Sequence, residues 1–256
     1  MTYDALNRFR LDGRTALVVG AGPGIGAHVA RAFASAGANV VVSARSAERV
    51  GSVVDEIRSA GGQAVAIAAD IGIAEDRDRI VAFSKESFGS IDILFHNATS
   101  SVLPRDADPL DVDVEHWREG FELNVIAPYD MARRLIPGMM AAGNGSIITL
   151  LSCAAFTPIL PQITYGATKS ALHMMTRYLA KAAGPNVRAN CICPGSISPD
   201  GSMNPAFAEH VNKNAISRVG KADEVVGAAL LLASDAGSYM TGQVIYCEGG
   251  RVHTIS

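Results

Sequence analysis

TALVVGAGPGIGAHVARAFASAG, residues 15–37, joins a β-branched apolar run to an alanine-rich helical pattern through glycines at 20, 22, 24 and 26. Because Gly20, Gly22, Gly24 and Gly26 lack a Cβ, the backbone can turn tightly and approach a ligand closely. The helix that follows presents free N–H groups and the positive end of its dipole, which together suit a diphosphate. Gly22, Gly24 and Ala27 also complete the spacing G-x-G-x-x-A, a meaningful signal only in this strand-turn-helix setting.

Working outward, short β-branched runs recur at 15–19, 39–44, 63–69, 91–95, 145–151, 187–193 and 242–247. They are apolar almost throughout, as expected of parallel strands covered on both faces. Helical patterns alternate with them at 25–36, 47–60, 75–88, 114–141, 163–183 and 223–234. The expected fold is α/β: a single Rossmann-like, doubly wound domain over residues 1–256, its seven-stranded parallel sheet flanked by helices. Two stretches rich in Pro, Asp and Ser, 99–111 and 194–210, each follow a strand. Ligands of open parallel sheets bind at the carboxyl ends of strands, so the second, extended to about 194–216, is expected to be a substrate loop.

With 48% hydrophobic and 18% charged residues the chain reads as a well-packed globule, and a net charge of -3 offers no footprint for nucleic acid or an anionic membrane. MTYDALNRFRLDGR carries charges where a secretory signal needs an apolar core, and no apolar run reaches membrane-spanning length; a cytoplasmic protein is expected. Cys153, Cys191, Cys193 and Cys247 have neither C-x-x-C spacing nor a His placed as a metal partner, so no metal is expected. Cys191 and Cys193 alternate along RANCIC and read as buried thiols.

The second strand runs into VVVSARSAERV. A site for NAD commonly carries an acidic residue here to hold the ribose 2′-hydroxyl. Ser43 and Ala44 are not acidic, whereas Arg45 offers a guanidinium suited to a 2′-phosphate. NADP(H) is therefore favoured, while Glu48 keeps NAD(H) open.

In LLSCAAFTPILPQITYGATK, residues 150–169, Ser152 ends the fifth strand, and Tyr165 and Lys169 share a helix face one turn apart. Such a pair arises easily by chance; its place on the cofactor edge of the sheet gives it chemical meaning. Moving a hydride between nicotinamide and a secondary alcohol or ketone requires a proton to leave or join the oxygen. A free Tyr has a pKa of about 10, and lowering it by ~3 units represents ~4 kcal/mol of preferential phenolate stabilisation. Positive charge from Lys169 and from an oxidised nicotinamide would supply this, and Ser152 would hydrogen-bond the substrate oxygen.

From about Leu11 to Gly250 these motifs resemble those of the short-chain dehydrogenase/reductase family. Gly20, Gly24 and Gly26 match its T-G-x-x-x-G-x-G cradle, and Asp70 in AADI is similar to its adenine-contacting acidic residue. His96, Asn97, Ala98 and Thr99 stand for its N-N-A-G. Asn124 in FELNV resembles the Asn that holds a relay water behind the Lys, and Ser152, Tyr165 and Lys169 fall at the family's catalytic spacings. VRANCICPG, ISRVGKADEV and YMTGQVIYCEGG resemble its later segments. The resemblance implies further cofactor contacts at Ile25, Ile71, Asn97, Ala98, Pro194, Gly195 and Ile197, with Tyr165 and Lys169 also touching the cofactor. It implies a homotetramer built partly on the helices at 114–141 and 163–183. Four positions depart from the pattern. Val19 replaces a Thr, His96 and Thr99 alter N-N-A-G, and Pro199 stands where a Thr usually helps hold the carboxamide, with Ser198 or Ser196 as stand-ins.

His96 is read as a packed strand-end residue; Trp117, Met139, Met140, Met174 and Met175 are read as core or subunit contacts. CAAFTPILPQIT together with Ile197, Met203, Phe207 and Val211 suggests a substrate with an apolar body. Motif order and C-terminal tail are similar to hydroxysteroid dehydrogenases of the family, while 3-oxoacyl thioester reductases and sugar or polyol dehydrogenases share the framework. From another class, a non-catalytic dinucleotide-sensing or scaffold protein is the alternative, motivated by Val19, His96, Thr99 and Pro199.

Overall fold

β1 (Thr15–Val19) is buried at all of its positions, a burial that parallel strands reach when helices cover both faces of the sheet. The computed structural model describes residues 4–99, 108–203 and 208–254. β1 lies between β2 (Asn39–Ala44), which pairs onward with β3 (Gln63–Ala68), and β4 (Ile93–His96) on its other side. Beyond β4 come β5 (Gly145–Leu150) and β6 (Val187–Pro194). A short separate ladder joins β7 (Ile197–Ser198) to β8 (Gly220–Lys221), and β9 (Val244–Cys247) closes the main sheet beside β6. The seven-stranded order is β3-β2-β1-β4-β5-β6-β9, parallel throughout.

Alternate side chains of each strand go to opposite faces. Ala16, Val18, Val40, Val42 and Phe95 meet α1 (Ile25–Ser35) and α2 (Ala47–Ser59) in one apolar cluster, where Phe33 and Phe95 pack edge to face at 6.1 Å. Leu17, Val19, Val41 and Leu94 join the second cluster with α3 (Ala74–Phe88) and later helices. The strand order reverses at the β1/β4 boundary, and the crevice at such a switch point is where a doubly wound sheet takes its ligand.

The expected helix at 114–141 is divided. α4 (Val114–Phe121) widens into a π turn at Glu122–Ile126 before α5 (Ala127–Ala142) resumes. Pro128, at the start of α5, has no N–H to donate to the carbonyl four residues back, that of Asn124, and its ring crowds that carbonyl. Widening the turn relieves both problems. α6 (Ile163–Ala183) follows the expected span; α7 (Ala208–Asn212), α8 (Val226–Ala233) and α9 (Arg251–Thr254) complete the chain. No helix among the described residues is long and apolar enough to cross a membrane.

Candidate active site

The cradle is built around one carbonyl. Gly20 has φ +87, and its oxygen accepts from the N–H of Gly22 at 2.8 Å and from the side-chain amide of Asn97 at 2.6 Å. A Cβ on Gly26 would sit 2.3 Å from that oxygen, and one on Gly20 would sit 2.4 Å from the nitrogen of Ala98. These two glycines are required by protein packed against protein. Gly22 and Gly24 differ, because a Cβ on either would meet nothing within 4 Å. Their bareness faces open space at the start of α1, whose N-cap Gly24 has no capping side chain. A helix N-terminus left clear in this way fits a dinucleotide diphosphate.

A cavity of about 280 Å³ brings Gly24, Ile25 and Asn97 of the cradle face to face with Ser152, Tyr165 and Lys169 and with Pro194, Gly195 and Ile197. Thr99, Ser198 and Pro199 also line it. Ser152 leaves β5 in extended conformation and caps the short turn Cys153–Ala155 by accepting from the N–H of Ala154 at 3.3 Å. Lys169 is buried; its ammonium lies 5.5 Å from the centre of the Tyr165 ring and donates to the carbonyl of Leu150 at 2.8 Å. Asn124 is buried in the π turn and donates to the Thr168 hydroxyl at 3.0 Å, while its carbonyl oxygen accepts from Thr99 at 2.9 Å. Thr168 in turn donates to the carbonyl of Tyr165 at 2.8 Å. The π turn is thus tied to the segment that carries Tyr165 and Lys169.

Burial pushes the Tyr165 phenol up to about 12, although hydrogen bonds with the Ser152 and Thr99 hydroxyls pull the other way. Its side chain is only partly covered, opening on the crevice, but the protein encloses the hydroxyl end. Burial brings Lys169 down to about 8. His96, at the end of β4, is held near 3 by burial first and by the charge of Lys169 second, so it is neutral at ordinary pH. It is packed as expected, yet its Nε2 finds no partner among the described residues.

Most of the other expected residues surround the crevice without lining it. Ala98 presses against Gly20, and Asp70 follows β3 on the same edge of the sheet, accepting from the N–H of Gly72 at 2.9 Å. Ile71 is buried, and its carbonyl accepts from Arg77 at 2.6 Å. Arg45 is exposed just beyond β2. Ser198 lines the crevice, whereas Ser196 accepts from Arg251 at 3.4 Å beside a neighbouring cavity. Val211 is fully buried and offers no surface to a substrate; Met203 is exposed, and Phe207 lies outside the described residues. Phe156 packs against His173 and Tyr246, turning the apolar 153–164 stretch partly inward. Met139 is core and Met175 packs against it, while Met140 and Met174 are exposed.

Arg77 had no place in the sequence reading. Buried on α3, it binds Asp130 of α5 at 2.7 Å and Glu122 of the π turn at 2.9 Å, so it links the Asp70–Ile71 turn to the segment carrying Asn124. The available signal was a cation on the stripe Arg77, Ile80, Val81 and Ser84, where α3 is otherwise buried.

A dinucleotide cradle beside a Ser, Tyr and Lys at the carboxyl edge of a parallel sheet defines a nicotinamide-dependent oxidoreductase of alcohols and ketones. The chain belongs to the short-chain dehydrogenase/reductase family: residues 20–251 match its family model described as Enoyl-(Acyl carrier protein) reductase. It is 34% identical to the 7alpha-hydroxysteroid dehydrogenase of Escherichia coli (strain K12) over 98% of each chain. It is 35% identical to Dehydrogenase/reductase SDR family member 4 of Homo sapiens over 94% of this chain and 88% of that one. A solved 7 alpha-hydroxysteroid dehydrogenase complexed with NADH and 7-oxo glycochenodeoxycholic acid superposes with TM-score 0.90, at 33% identity over 100% of both chains. A gluconate 5-dehydrogenase from Burkholderia cenocepacia J2315 in complex with NADP and tartrate gives TM-score 0.89, at 30% identity over 98% of this chain and 100% of that one. The protein is accordingly an enzyme, an NAD(P)-dependent short-chain dehydrogenase/reductase.

Proposed function

We propose that this single-domain enzyme interconverts a secondary alcohol and a ketone carried on a largely apolar, hydroxysteroid-like body, with NADP(H) favoured over NAD(H). The observation that carries this is the convergence of Ser152, Tyr165 and Lys169 on one crevice with the glycine cradle. Bound NAD(P)H supplies the hydride. Tyr165 donates the proton to the ketone oxygen and takes it back in the reverse direction, and Ser152 holds that oxygen as charge develops. Lys169 supplies positive charge beneath the Tyr165 ring, and Asn124, held by Thr168 and Thr99, fixes the relay behind it. Gly22, Gly24 and Ile25 take the diphosphate end on a turn that Gly20 and Gly26 shape; Asp70 and Ile71 take the adenine side. Asn97, Pro194, Gly195 and Ile197 line the remainder, with Ala98 behind them against Gly20. Arg45, exposed and next to the cradle edge, supports the preference for a 2′-phosphate.

The apolar lining by Ile197 and Pro199 supports a hydrophobic substrate body over a sugar, as does the likeness to hydroxysteroid dehydrogenases. Within the 194–216 stretch, Ile197, Ser198 and Pro199 would meet that body. A homotetramer is supported by apolar side chains left exposed on the two long helices, Tyr129 and Met140 on α5 and Met174 and Tyr178 on α6.

Purified protein should oxidise NADPH with a 7-oxosteroid faster than with a 3-oxoacyl thioester or a ketogluconate. Tyr165→Phe should lose most turnover yet still bind NADPH, and Arg45→Glu should shift the preference toward NADH. A fully active Tyr165→Phe enzyme would overturn the assignment of the proton donor.

A further inference from the structure

A pair of thiols lies directly behind Ser152. Cys153 opens the turn that Ser152 caps, at the exit of β5; Cys193 is on β6, immediately before Pro194 and Gly195 of the crevice. The strand ends stay joined here, since the N–H of Leu151 donates to the carbonyl of Ile192 at 2.8 Å. The Cys153 thiol donates to the carbonyl of Pro194, the residue next to Cys193, at 3.6 Å, and the two thiols act on each other's acidity. Both sit in one apolar cluster with Leu151 and Leu172, and both are free thiols. Cys191, two residues back on β6, is engaged elsewhere by the Thr149 hydroxyl at 3.3 Å. The mechanism proposed above uses none of these sulfurs.

We propose that Cys153 and Cys193 form a reversible disulfide in the presence of hydrogen peroxide, and that this bond shuts the active site. Cys153 is the attacking sulfur: the bond from Cys193 and the charge of Arg251 lower its thiol, while the same contact and burial raise that of Cys193. The Cys153 thiolate attacks a peroxide oxygen, the O–O bond breaks, and the displaced oxygen leaves as water after taking a proton. Cys193 then attacks the sulfenic sulfur, its proton leaving with the hydroxyl as a second water while the S–O bond breaks. Two thiols are oxidised by two electrons in all, and one peroxide is reduced to water.

The consequence for the site follows from what the two residues adjoin. A disulfide brings its sulfurs to about 2 Å, much closer than two unbonded thiols can approach. Closing that gap pulls the Cys153–Ala155 turn toward β6, and both the Ser152 hydroxyl and the Pro194–Gly195 peptide move with it. The crevice would lose its oxygen-holding group and part of its cofactor wall together.

The test treats the full chain briefly with hydrogen peroxide, unfolds it in guanidinium with iodoacetamide so that every remaining thiol is blocked, and maps the peptides by mass. A Cys153–Cys193 linked peptide is expected, together with loss of most turnover and weakened NADPH binding, all restored by dithiothreitol. Cys153→Ala should keep its own starting turnover and NADPH affinity through the same treatment. The linkage rests on the joined strand ends and the shared cluster of the two thiols; its effect on turnover rests on the site proposed above, and NADPH fluorescence reads that effect even without a substrate. The proposal is overturned if both thiols remain alkylatable, if linkage leaves turnover and NADPH binding unchanged, or if Cys153→Ala is inactivated like the parent.

Discussion

Replacing Lys169 by Met should lower kcat for alcohol oxidation by roughly 10- to 100-fold and change the shape of its pH profile. In the structure the Tyr165 phenol stands at about 12 and Lys169 at about 8, both displaced mainly by burial. At pH 8 only about one Tyr165 in 10⁴ would be ionised, and bringing the phenol to 8 requires about 5 kcal/mol of phenolate stabilisation. The ammonium of Lys169 is 5.5 Å from the ring centre. At an effective dielectric of about 20, a unit charge at that separation contributes at most about 3 kcal/mol, a little over half of what is needed. It faces the ring rather than the hydroxyl, which reduces its share and leaves the remainder to the positive charge of bound oxidised cofactor. Methionine keeps the length and apolar stem but removes the charge. Since burial has lowered Lys169, its ammonium is lost as pH rises through about 8, and the parent rate should level or fall there while the Met variant shows no such limb. Steady-state kcat across pH at saturating cofactor measures this. Tyrosinate absorbance, parent minus Tyr165→Phe, reports the phenol with and without NADP. A Met variant within twofold of the parent, or a Tyr165 that ionises near pH 8 without cofactor, would refute the reasoning.

The glycines of the cradle should separate into two kinds. Gly26→Ala forces a Cβ to 2.3 Å from the Gly20 carbonyl and should destabilise the fold as well as the cofactor site, whereas Gly22→Ala meets nothing within 4 Å. The latter should change unfolding free energy by less than about 1 kcal/mol yet weaken NADPH binding at least about tenfold, read by denaturation and fluorescence titration. His96 predicts an acid sensitivity: its folded value near 3 lies below the ordinary 6.5, so the unfolded chain takes up a proton that the folded chain refuses. The stability it permits above pH 6.5 is lost as pH falls toward 3, amounting to about 3 kcal/mol by pH 4.5. His96→Asn should flatten that loss in guanidinium unfolding, and an equal pH dependence in both proteins would count against it.

Much of this site could be read from local rules. A glycine cradle needs bare backbone at given positions, a parallel strand needs apolar side chains on both faces, and Tyr165 and Lys169 need only one helical turn to share a face. Those constraints act over a few residues, so spacing exposes them. The helical span 114–141 is legible, but not the π turn inside it, because the effect of Pro128 on the carbonyl of Asn124 widens a turn without ending the helical pattern.

The sequence by itself determined the sheet, the cradle between β1 and α1, and the candidate residues Ser152, Tyr165 and Lys169. Only the tertiary structure decided what those groups meet. Asn124 and Thr168 are 44 residues apart in the chain, Arg77 and Asp130 are 53 apart, and Cys153 meets the carbonyl of Pro194 across 41. Periodicity tells which face a side chain takes but not which distant face will cover it, and burial, which sets Tyr165, Lys169 and His96 far from their ordinary pKa values, exists only once those faces have closed.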